Sequence, residues 1–295
     1  MERQLHSTSS VSAALREKAL GALKGLPPFS PVLNKLLASL AGDDISFAQL
    51  SDLIEKDMVV TGNILHLVNS ALYARRGTVN SVRHALSLMG MEKLRNVVLG
   101  MSVARIWAQV RPVGSWSTAR FNQHSAATAI LSDMLAQRVP VIYPEGAFVA
   151  GLMHDLGRLL IAVGLPAEHS RMMELHQRSG KTLADSEREV LGFEHPEISA
   201  QALAFWNLPD PIQAAVGEHH STLDAAPGGE FPLSRVVAAA DCYVHSTGVS
   251  ILPTENMQIR EDMMVLKQLG IDDAEVSTLL SEFRDEFESM APFFR

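Results

Sequence analysis

An ionisable pair inside an apolar stretch is the feature that most constrains how this chain can fold. Residues 150–160 read AGLMHDLGRLL and place His154 and Asp155 side by side among apolar residues. Burying a carboxylate costs free energy unless a cation or strong hydrogen bonds compensate it. Imidazole and carboxylate groups are common ligands of divalent transition metals. Because two adjacent residues cannot form a metal site alone, the fold has to bring further ligands to this pair.

Other histidines and one aspartate lie in similarly apolar, helix-like surroundings. Together with the pair, the candidate ligands are His124, His154, Asp155, His195, His219, His220 and Asp241. This set suffices for one octahedral ion, or for two ions that share a carboxylate. A single histidine on an apolar helix face is equally compatible with a hydrogen-bonded core residue, so spacing alone leaves both interpretations open.

Apolar residues recur at helical spacing along nearly the whole chain, and turn residues separate the segments. Ser46 and Gln49 match a capping box, and Pro31 suits the first turn of a helix capped by Ser30. In the second half the pattern predicts helices near 117–137, 146–163, 166–179, 182–191, 195–206, 209–219 and 233–245. No alternating strand pattern competes with these helices. We therefore predict an all-α fold.

Bulk properties exclude several classes of protein. The chain has 295 residues, 47% of them hydrophobic, and a net charge of −8, which argues against a broad nucleic-acid-binding surface. Cys242 is the single cysteine, so no intrachain disulfide can form and a reducing cytoplasm is expected. His154, Asp155 and Arg158 interrupt the longest apolar stretch, which argues against a membrane span. These properties predict a cytoplasmic protein without nucleic-acid or membrane partners.

The ordered motifs resemble the HDOD family (HD-related output domain) of bacterial signalling proteins, over roughly residues 19–245. The motifs are LPPFSP at 26–31, NSALY at 69–73, VRHAL at 82–86, GLMHDLG at 151–157 and GFEH at 192–195. The resemblance implies a helical fold related to the HD phosphohydrolases, with an N-terminal helical half (19–115) packed on an HD-like half (116–245). Residues 1–18 then form a tail and the start of the first helix, and residues 246–295 form a C-terminal helical extension.

The resemblance also implies a ligand set. HD enzymes bind metal through a histidine, a His-Asp doublet and a later aspartate, which match His124, His154, Asp155 and Asp241. The related HD-GYP cyclic-di-GMP phosphodiesterases add a histidine and a His-His pair, and the matching residues are His195, His219 and His220. The implied cofactor is one or two divalent transition metal ions, iron or manganese. In a catalytic centre Asp155 would bridge two ions that activate a water molecule.

Three departures argue against cyclic-di-GMP hydrolysis. Arg158 stands where the HD-GYP pattern has lysine, and a guanidinium group does not replace a compact ammonium group as a phosphate partner or proton donor. No Gly-Tyr-Pro segment follows His220, and Arg120 replaces a glutamate that can hold a third ion. Arg158 and Lys181 remain candidates for holding a substrate phosphate, with plain surface charge as the alternative interpretation.

Three functional hypotheses follow. The first is a signal-transduction module that binds signalling proteins and whose HD-like site is structural, regulatory or vestigial. The second is a metal-dependent phosphohydrolase acting on a nucleotide or cyclic dinucleotide, and the third is a metal- or nucleotide-sensing regulator. Residues 26–108 contain no convergent set of acid, base and nucleophile, which favours partner binding. Asn69 and Tyr73 share a predicted helix face and serve as an internal anchor or as a partner contact.

Overall fold

A computed structural model describes residues 2–40, 45–70, 72–73, 78–112, 114, 116–221, 229–252 and 261–294, with side chains from residue 10 onward. Within these ranges no β-strand occurs, and one isolated backbone bridge pairs Val141 with Phe231. The predicted all-α fold is therefore confirmed.

Among the described residues before position 116, the α-helices are α1 (Glu2–Gly21), α2 (Pro31–Ser39), α3 (Phe47–Glu55), α4 (Met58–Val68), α5 (Val82–Met89) and α6 (Met91–Trp107). Side chains cap most of them, because Ser30, Ser46, Asp57 and Ser81 accept backbone N–H groups from the first turns of α2 to α5. The capping box of Ser46 and Gln49 is confirmed.

Asn69 anchors the chain after α4. Its side-chain amide donates to the carbonyl of Val79 at 2.8 Å, and its side-chain oxygen accepts from the Val79 N–H at 2.9 Å. The structure therefore favours the internal-anchor interpretation of Asn69. The predicted shared helix face with Tyr73 is wrong, because α4 ends at Val68.

From residue 116 onward, the described α-helices begin with α7 (Thr118–Ala136), α8 (Ala147–Met153), α9 (Leu156–Gly164) and α10 (Pro166–Ser179). The helices that follow are α11 (Leu183–Leu191), α12 (His195–Phe205), α13 (Asp210–Gly217), α14 (Leu233–Ser246), α15 (Met264–Lys267) and α16 (Asp273–Met290). Helices α8 and α14 pack along α7, while α12 packs between α9 and α13. This arrangement places the ends of α8, α12 and α13 around one buried point.

Aromatic rings join the two halves. Phe29, which precedes α2, and Trp107 of α6 both contact Trp206 at the end of α12, with ring centroids 4.7 Å and 6.3 Å apart. At the C-terminal end, the ring of Phe294 packs against Gly100 in α6, where a side chain would clash with it. The halves therefore share one continuous apolar core.

The stretch Pro144–Gly164 is long and apolar enough to cross a membrane, yet 89% of its most apolar window is buried inside the protein. Such burial is typical of the core helix of a soluble protein. The single helix predicted over 146–163 is wrong, because the chain breaks between Met153 and Leu156.

Candidate metal centre

The break between α8 and α9 falls on the His-Asp doublet and is stabilised from another helix. Ser199 of α12 donates its hydroxyl to the carbonyl of His154 at 2.8 Å and accepts the N–H of Gly157 at 2.7 Å. One buried side chain thus satisfies two backbone groups near the interruption. The interruption lets His154 and Asp155 project toward the same interior point.

Two glycines allow neighbouring helices to approach the doublet. A Cβ atom on Gly157 would lie 2.1 Å from the carbonyl oxygen of His195, and one on Gly151 would lie 2.8 Å from backbone atoms of Ala129 and Thr128. Because real Cβ atoms do not come so close to backbone, both positions need glycine. The glycines of the GLMHDLG motif therefore set the spacing of α7 and α12 around the doublet.

All seven candidate ligands converge in the structure. Three groups have ligand atoms within 4.8 Å of one another: His124 with His154 and Asp155; His154 with His219 and Asp241; His195 with His219 and His220. The carboxylates of the first two groups face imidazoles within and between these groups. Asp241 Oδ1 lies 3.0 Å from His124 Nε2, and Asp155 Oδ2 lies 3.5 Å from His154 Nε2.

Hydrogen bonds fix the orientation of four imidazole rings. The Nδ1 atoms of His124, His154 and His219 lie 2.9, 2.7 and 2.7 Å from the carbonyl oxygens of Val249, Gly151 and Val216, respectively. His195 Nδ1 lies 2.7 Å from Glu187 Oε2. When Nδ1 donates in this way, a neutral imidazole has its lone pair on Nε2, which faces the centre, as in metal-binding histidines.

Three of these inward-facing atoms lack a hydrogen-bond partner among the described residues. They are the buried Nε2 atoms of His154, His195 and His219. His195 Nε2 approaches Asp155 Oδ1 at 2.8 Å, but the contact lacks the alignment of a hydrogen bond. Buried polar atoms without partners are rare in folded proteins, and a divalent cation would satisfy all three. The donor set of imidazoles and carboxylates therefore fits a transition metal.

Arg158 occupies a different place from the one the sequence suggested. Its Nε–H donates to Asp155 Oδ1 at 2.8 Å, and its NH1 atom lies 3.5 Å from Glu187 Oε1. Since the side chain is mostly buried, the surface-charge interpretation is wrong. Arg158, Asp155, His195 and Glu187 form a closed ring of charged and imidazole groups beside the centre.

Lys181 lies apart from the cluster. Its ammonium group pairs with Glu189, and no described contact connects it to the seven candidate ligands. Pairing with an exposed carboxylate is typical of a solvated surface residue, so the structure favours the surface-charge interpretation for Lys181.

The protonation equilibria of the centre are strongly coupled. Burial raises the pKa of Asp155, but Arg158 and the neighbouring imidazoles outweigh it and hold that pKa well below the usual value. Burial opposes ionisation of Glu187 in the same way, yet His195 and Arg158 hold its pKa at about 2. Burial also disfavours a charged His124, but Asp241 and Asp155 raise its pKa overall. A metal ion bound to His124 would therefore have to displace a proton from its imidazole.

Two residues of the site escaped the sequence analysis. Glu187 lies eight positions before His195 in a polar segment, so it does not stand out as His154 and Asp155 do. Ser199 has no sequence feature that distinguishes it from other serines in helices. The hydrogen bonds of Glu187 to the ring and backbone N–H of His195 place it directly behind a candidate ligand. These roles appear only in the tertiary structure, where α12 lies against the α8–α9 break and Glu187 of α11 lies against His195.

Comparison with known proteins decides the family. The HDOD domain model matches residues 26–222, about two thirds of the chain. The chain belongs to the HDOD family. Its fold agrees with that assignment: a solved HDOD domain protein of unknown function from Geobacter sulfurreducens superimposes with a TM-score of 0.72 at 22% identity, covering 95% of this chain and 97% of that one.

Two further solved structures with a similar fold carry functional names. A protein of Shewanella amazonensis, provisionally named a phosphohydrolase, has a TM-score of 0.72 at 23% identity and covers 94% of this chain and 98% of its own. A protein of Marinobacter aquaeolei, provisionally named a signal transduction protein, has a TM-score of 0.69 at 21% identity and covers 96% and 66%. At these identities the likeness shows the fold alone.

The chain is also 20% identical over 248 residues to an uncharacterized protein of Treponema pallidum (strain Nichols). The match covers 80% of this chain but only 45% of that relative. The chain thus spans about half the length of the curated relative that it matches.

Proposed function

We propose that this HDOD protein is a signal-transduction module whose HD-like core holds a divalent transition metal. One observation carries the proposal: four buried imidazoles are locked through Nδ1, and three of their inward Nε2 atoms have no described partner. The proposed ligands are His124, His154, Asp155, His195, His219, His220 and Asp241.

The mixed nitrogen and oxygen ligands favour iron or manganese, in one or two ions. When bound, such an ion supplies a Lewis acid and an activated water molecule. The chain's own residues would position it: His124, His154 and Asp241 from three elements, and Asp155 through the oxygen that Arg158 leaves free. Glu187 would hold His195 in one tautomer.

Metal binding is tested on protein purified without chelators. We expect bound iron or manganese by elemental analysis, and a higher unfolding midpoint with added Mn²⁺ than with chelator. A ligand that binds only the native state at 100 times its Kd stabilises it by about 2.7 kcal/mol. Absence of bound metal together with an unchanged midpoint would reject the proposal.

Limited access to the centre supports signalling rather than turnover. His154, His195 and His219 are almost fully buried, and only Asp241 and His220 reach the surface, with side chains 21% and 30% exposed. An ion in such a place orders the surrounding helices and so controls the surface shown to partner proteins. We propose signalling proteins in the cytoplasm as partners, or a nucleotide that the site senses. The proposed functional unit is 19–245, with 246–295 as an extension.

A metal-dependent phosphohydrolase is the second candidate, and one observation favours it. An open groove leads to His220 and is lined by Thr182, Arg188, Glu194, Gly217 and Ser221. A phosphate ester could reach the edge of the centre along this groove. In that function Asp155 is the proposed bridging carboxylate.

A hydrolysis assay separates the two candidates. Mn²⁺-loaded protein is incubated with nucleotides, cyclic dinucleotides and an activated phosphodiester. The signalling proposal expects no turnover above the metal-only control. Metal-dependent turnover that Asp155→Ala abolishes, while Asp185→Ala retains it, would establish the phosphohydrolase instead.

A further inference from the structure

We propose that a small apolar pocket beside the centre binds a neutral, mostly hydrocarbon molecule that carries one carbonyl group. The pocket lies between the start of α7, the segment from α9 to α11, and the chain that follows α14. It is lined in part by Trp116, Arg158, His169, Met172, Leu183 and Leu252. This inference goes beyond the proposed function, because neither the pocket nor its ligand requires a bound metal.

The shape and the lining of the pocket suit a slim hydrocarbon group. Apolar side chains form most of its wall, as in other small-molecule sites. Protein atoms leave about 380 Å³ unfilled, and part of this space is open to solvent. The enclosed part is narrow, but Met172 and Met173 line it with flexible, unbranched side chains. The pocket can therefore widen around a slim molecule.

The polar groups at the pocket are hydrogen-bond donors. The indole Nε1 of Trp116 is buried and has no hydrogen-bond partner among the described residues. Because a buried donor without a partner is costly, an acceptor on a ligand would stabilise this N–H group. The guanidinium group of Arg158 has five N–H donors, and its one hydrogen bond to a described residue is the donation from Nε to Asp155. We therefore expect the ligand to supply an acceptor.

The charges around the pocket favour a neutral ligand over an ion. Arg158 already lies between two carboxylates, with its nitrogen atoms 2.8 Å from Asp155 Oδ1 and 3.5 Å from Glu187 Oε1. An anionic ligand would add a third negative charge beside the same guanidinium group, and a cationic ligand would face donors. Burial lowers the pKa of His169, so this imidazole adds no positive charge near neutral pH. A carbonyl oxygen accepts two hydrogen bonds and carries no net charge, so it fits these surroundings.

The pocket adjoins groups that orient two of the proposed metal ligands. On one side Arg158 donates to Asp155. On another side, the carbonyl of Val249 lies 2.9 Å from Nδ1 of His124, and Leu252 of the same short segment lines the pocket. A bound molecule would contact both sides. The pocket thus offers the proposed signalling module a site where a small molecule can act on the centre.

Binding is tested by NMR of the indole N–H groups in nitrogen-15-labelled protein during addition of 2-hexanone. A ligand of this size is expected to have a Kd of about 1 mM, so the titration extends to about 10 mM. We expect the Trp116 signal, which Trp116→Phe identifies, to move downfield as its N–H gains an acceptor. The signals of Trp107 and Trp206, which stack on each other where the halves meet, should not move. The same shifts are expected before and after treatment with chelator.

Two variants and one control locate the binding site. Leu183→Phe places a larger side chain in the pocket wall and is expected to abolish the shift. Leu53→Phe, at another half-buried leucine that lies in α3, should retain it. Trp116→Phe keeps an aromatic ring but loses the N–H donor, so it should weaken 2-hexanone binding about 5-fold. The methyl signals of Met172 and Met173 follow this last titration.

Several results would overturn the inference. They are an unmoved Trp116 signal in the wild type, an unchanged shift in folded Leu183→Phe, and tighter binding of hexanoate or hexylammonium than of 2-hexanone. If Leu183→Phe does not fold, an unchanged affinity in Trp116→Phe would have the same consequence. A protein that shows the expected shift but never binds metal would reject the proposed metal centre and leave this inference standing.

Discussion

Two aspartates at the starts of helices show how the halves of the molecule differ. Asp57 precedes α4, caps it by accepting the N–H groups of Val59 and Val60 at 3.1 Å, and pairs with Arg105 through both carboxylate oxygens. Asp155 precedes α9 and makes no capping hydrogen bond. Its oxygens face Arg158 and the imidazoles instead. Asp57 therefore stabilises the helix that it precedes. Asp155 does not cap α9, because its oxygens are directed to Arg158 and the imidazoles.

The same contrast extends to buried polar groups. Among the described residues of the first half, the buried polar side chains are Ser51, Asn96 and Ser102, which are all uncharged. The second half buries Asp155, Glu187 and several imidazoles around one point. Because desolvating charge is costly, this half is stable only while its charges remain paired. Substitutions at matched positions in the two halves should therefore have unequal effects.

The largest difference in unfolding free energy is expected between alanine substitutions of two glycines. Gly157→Ala would place a methyl group 2.1 Å from the carbonyl oxygen of His195, so we expect a loss of more than about 4 kcal/mol of unfolding free energy, or failure to fold. Gly62→Ala, in the exposed face of α4, meets no atom within 4 Å and should stabilise the protein by up to about 1 kcal/mol. Urea unfolding measures both. Equal effects would mean that α9 and α12 are not in close contact.

Alanine substitutions of the two aspartates should give the next largest difference in unfolding free energy. Asp155→Ala leaves Arg158 buried with one carboxylate fewer, and metal-free protein should lose about 3 kcal/mol of unfolding free energy. Asp57→Ala removes a helix cap and a partly exposed ion pair and should cost about 1–2 kcal/mol. Only Asp155→Ala should also abolish metal binding. If Asp57→Ala lost more unfolding free energy than Asp155→Ala in metal-free protein, the buried charges around Asp155 would not depend on their pairing for stability.

Two glutamates on α11 give a smaller contrast, within the second half itself. Glu187→Gln removes the carboxylate behind His195 and should weaken metal binding by about 10- to 100-fold. Glu189→Gln, two residues on and 50% exposed, should leave the affinity unchanged. Titration calorimetry with Mn²⁺ compares them. An unchanged affinity in Glu187→Gln would show that His195 needs no fixed tautomer.

The smallest effect concerns Asp133, which lies where the halves meet. Burial, together with Glu92 and Glu286, raises the pKa of Asp133 to about 7, and Asn96 of α6 donates to its side chain at 3.2 Å. The folded state thus holds a proton that the unfolded state loses near pH 4, so stability falls as the pH rises toward 7. Between pH 6 and pH 8 this loss is about 1.4 kcal/mol.

Asp133→Asn keeps one of the two side-chain acceptor oxygens, which can still accept from Asn96, and it cannot ionise. The variant should therefore lack that part of the pH dependence and be more stable than the wild type at pH 8. Thermal unfolding at pH 6 and pH 8 measures the difference. Identical pH profiles would place the ionisation of Asp133 outside this range.

Local sequence signals predicted much of the fold correctly. Capping residues such as Ser46 and helical periodicity act within a few residues, so they can be recognised without tertiary contacts. The prediction of one helix over 146–163 was wrong because the interruption at His154 is stabilised by Ser199, which is distant in sequence. An apolar run by itself contains no sign of such a contact.

The sequence by itself determined that the chain is helical, that it has the HDOD motifs, and which imidazoles and carboxylates are available as ligands. Only the tertiary structure decided where their atoms point. It turned Arg158 inward to Asp155, placed Glu187 behind His195 and left Lys181 at the surface. The physical reason is that helix formation depends on neighbouring residues, whereas the environment of a buried charge depends on side chains that packing brings from distant helices.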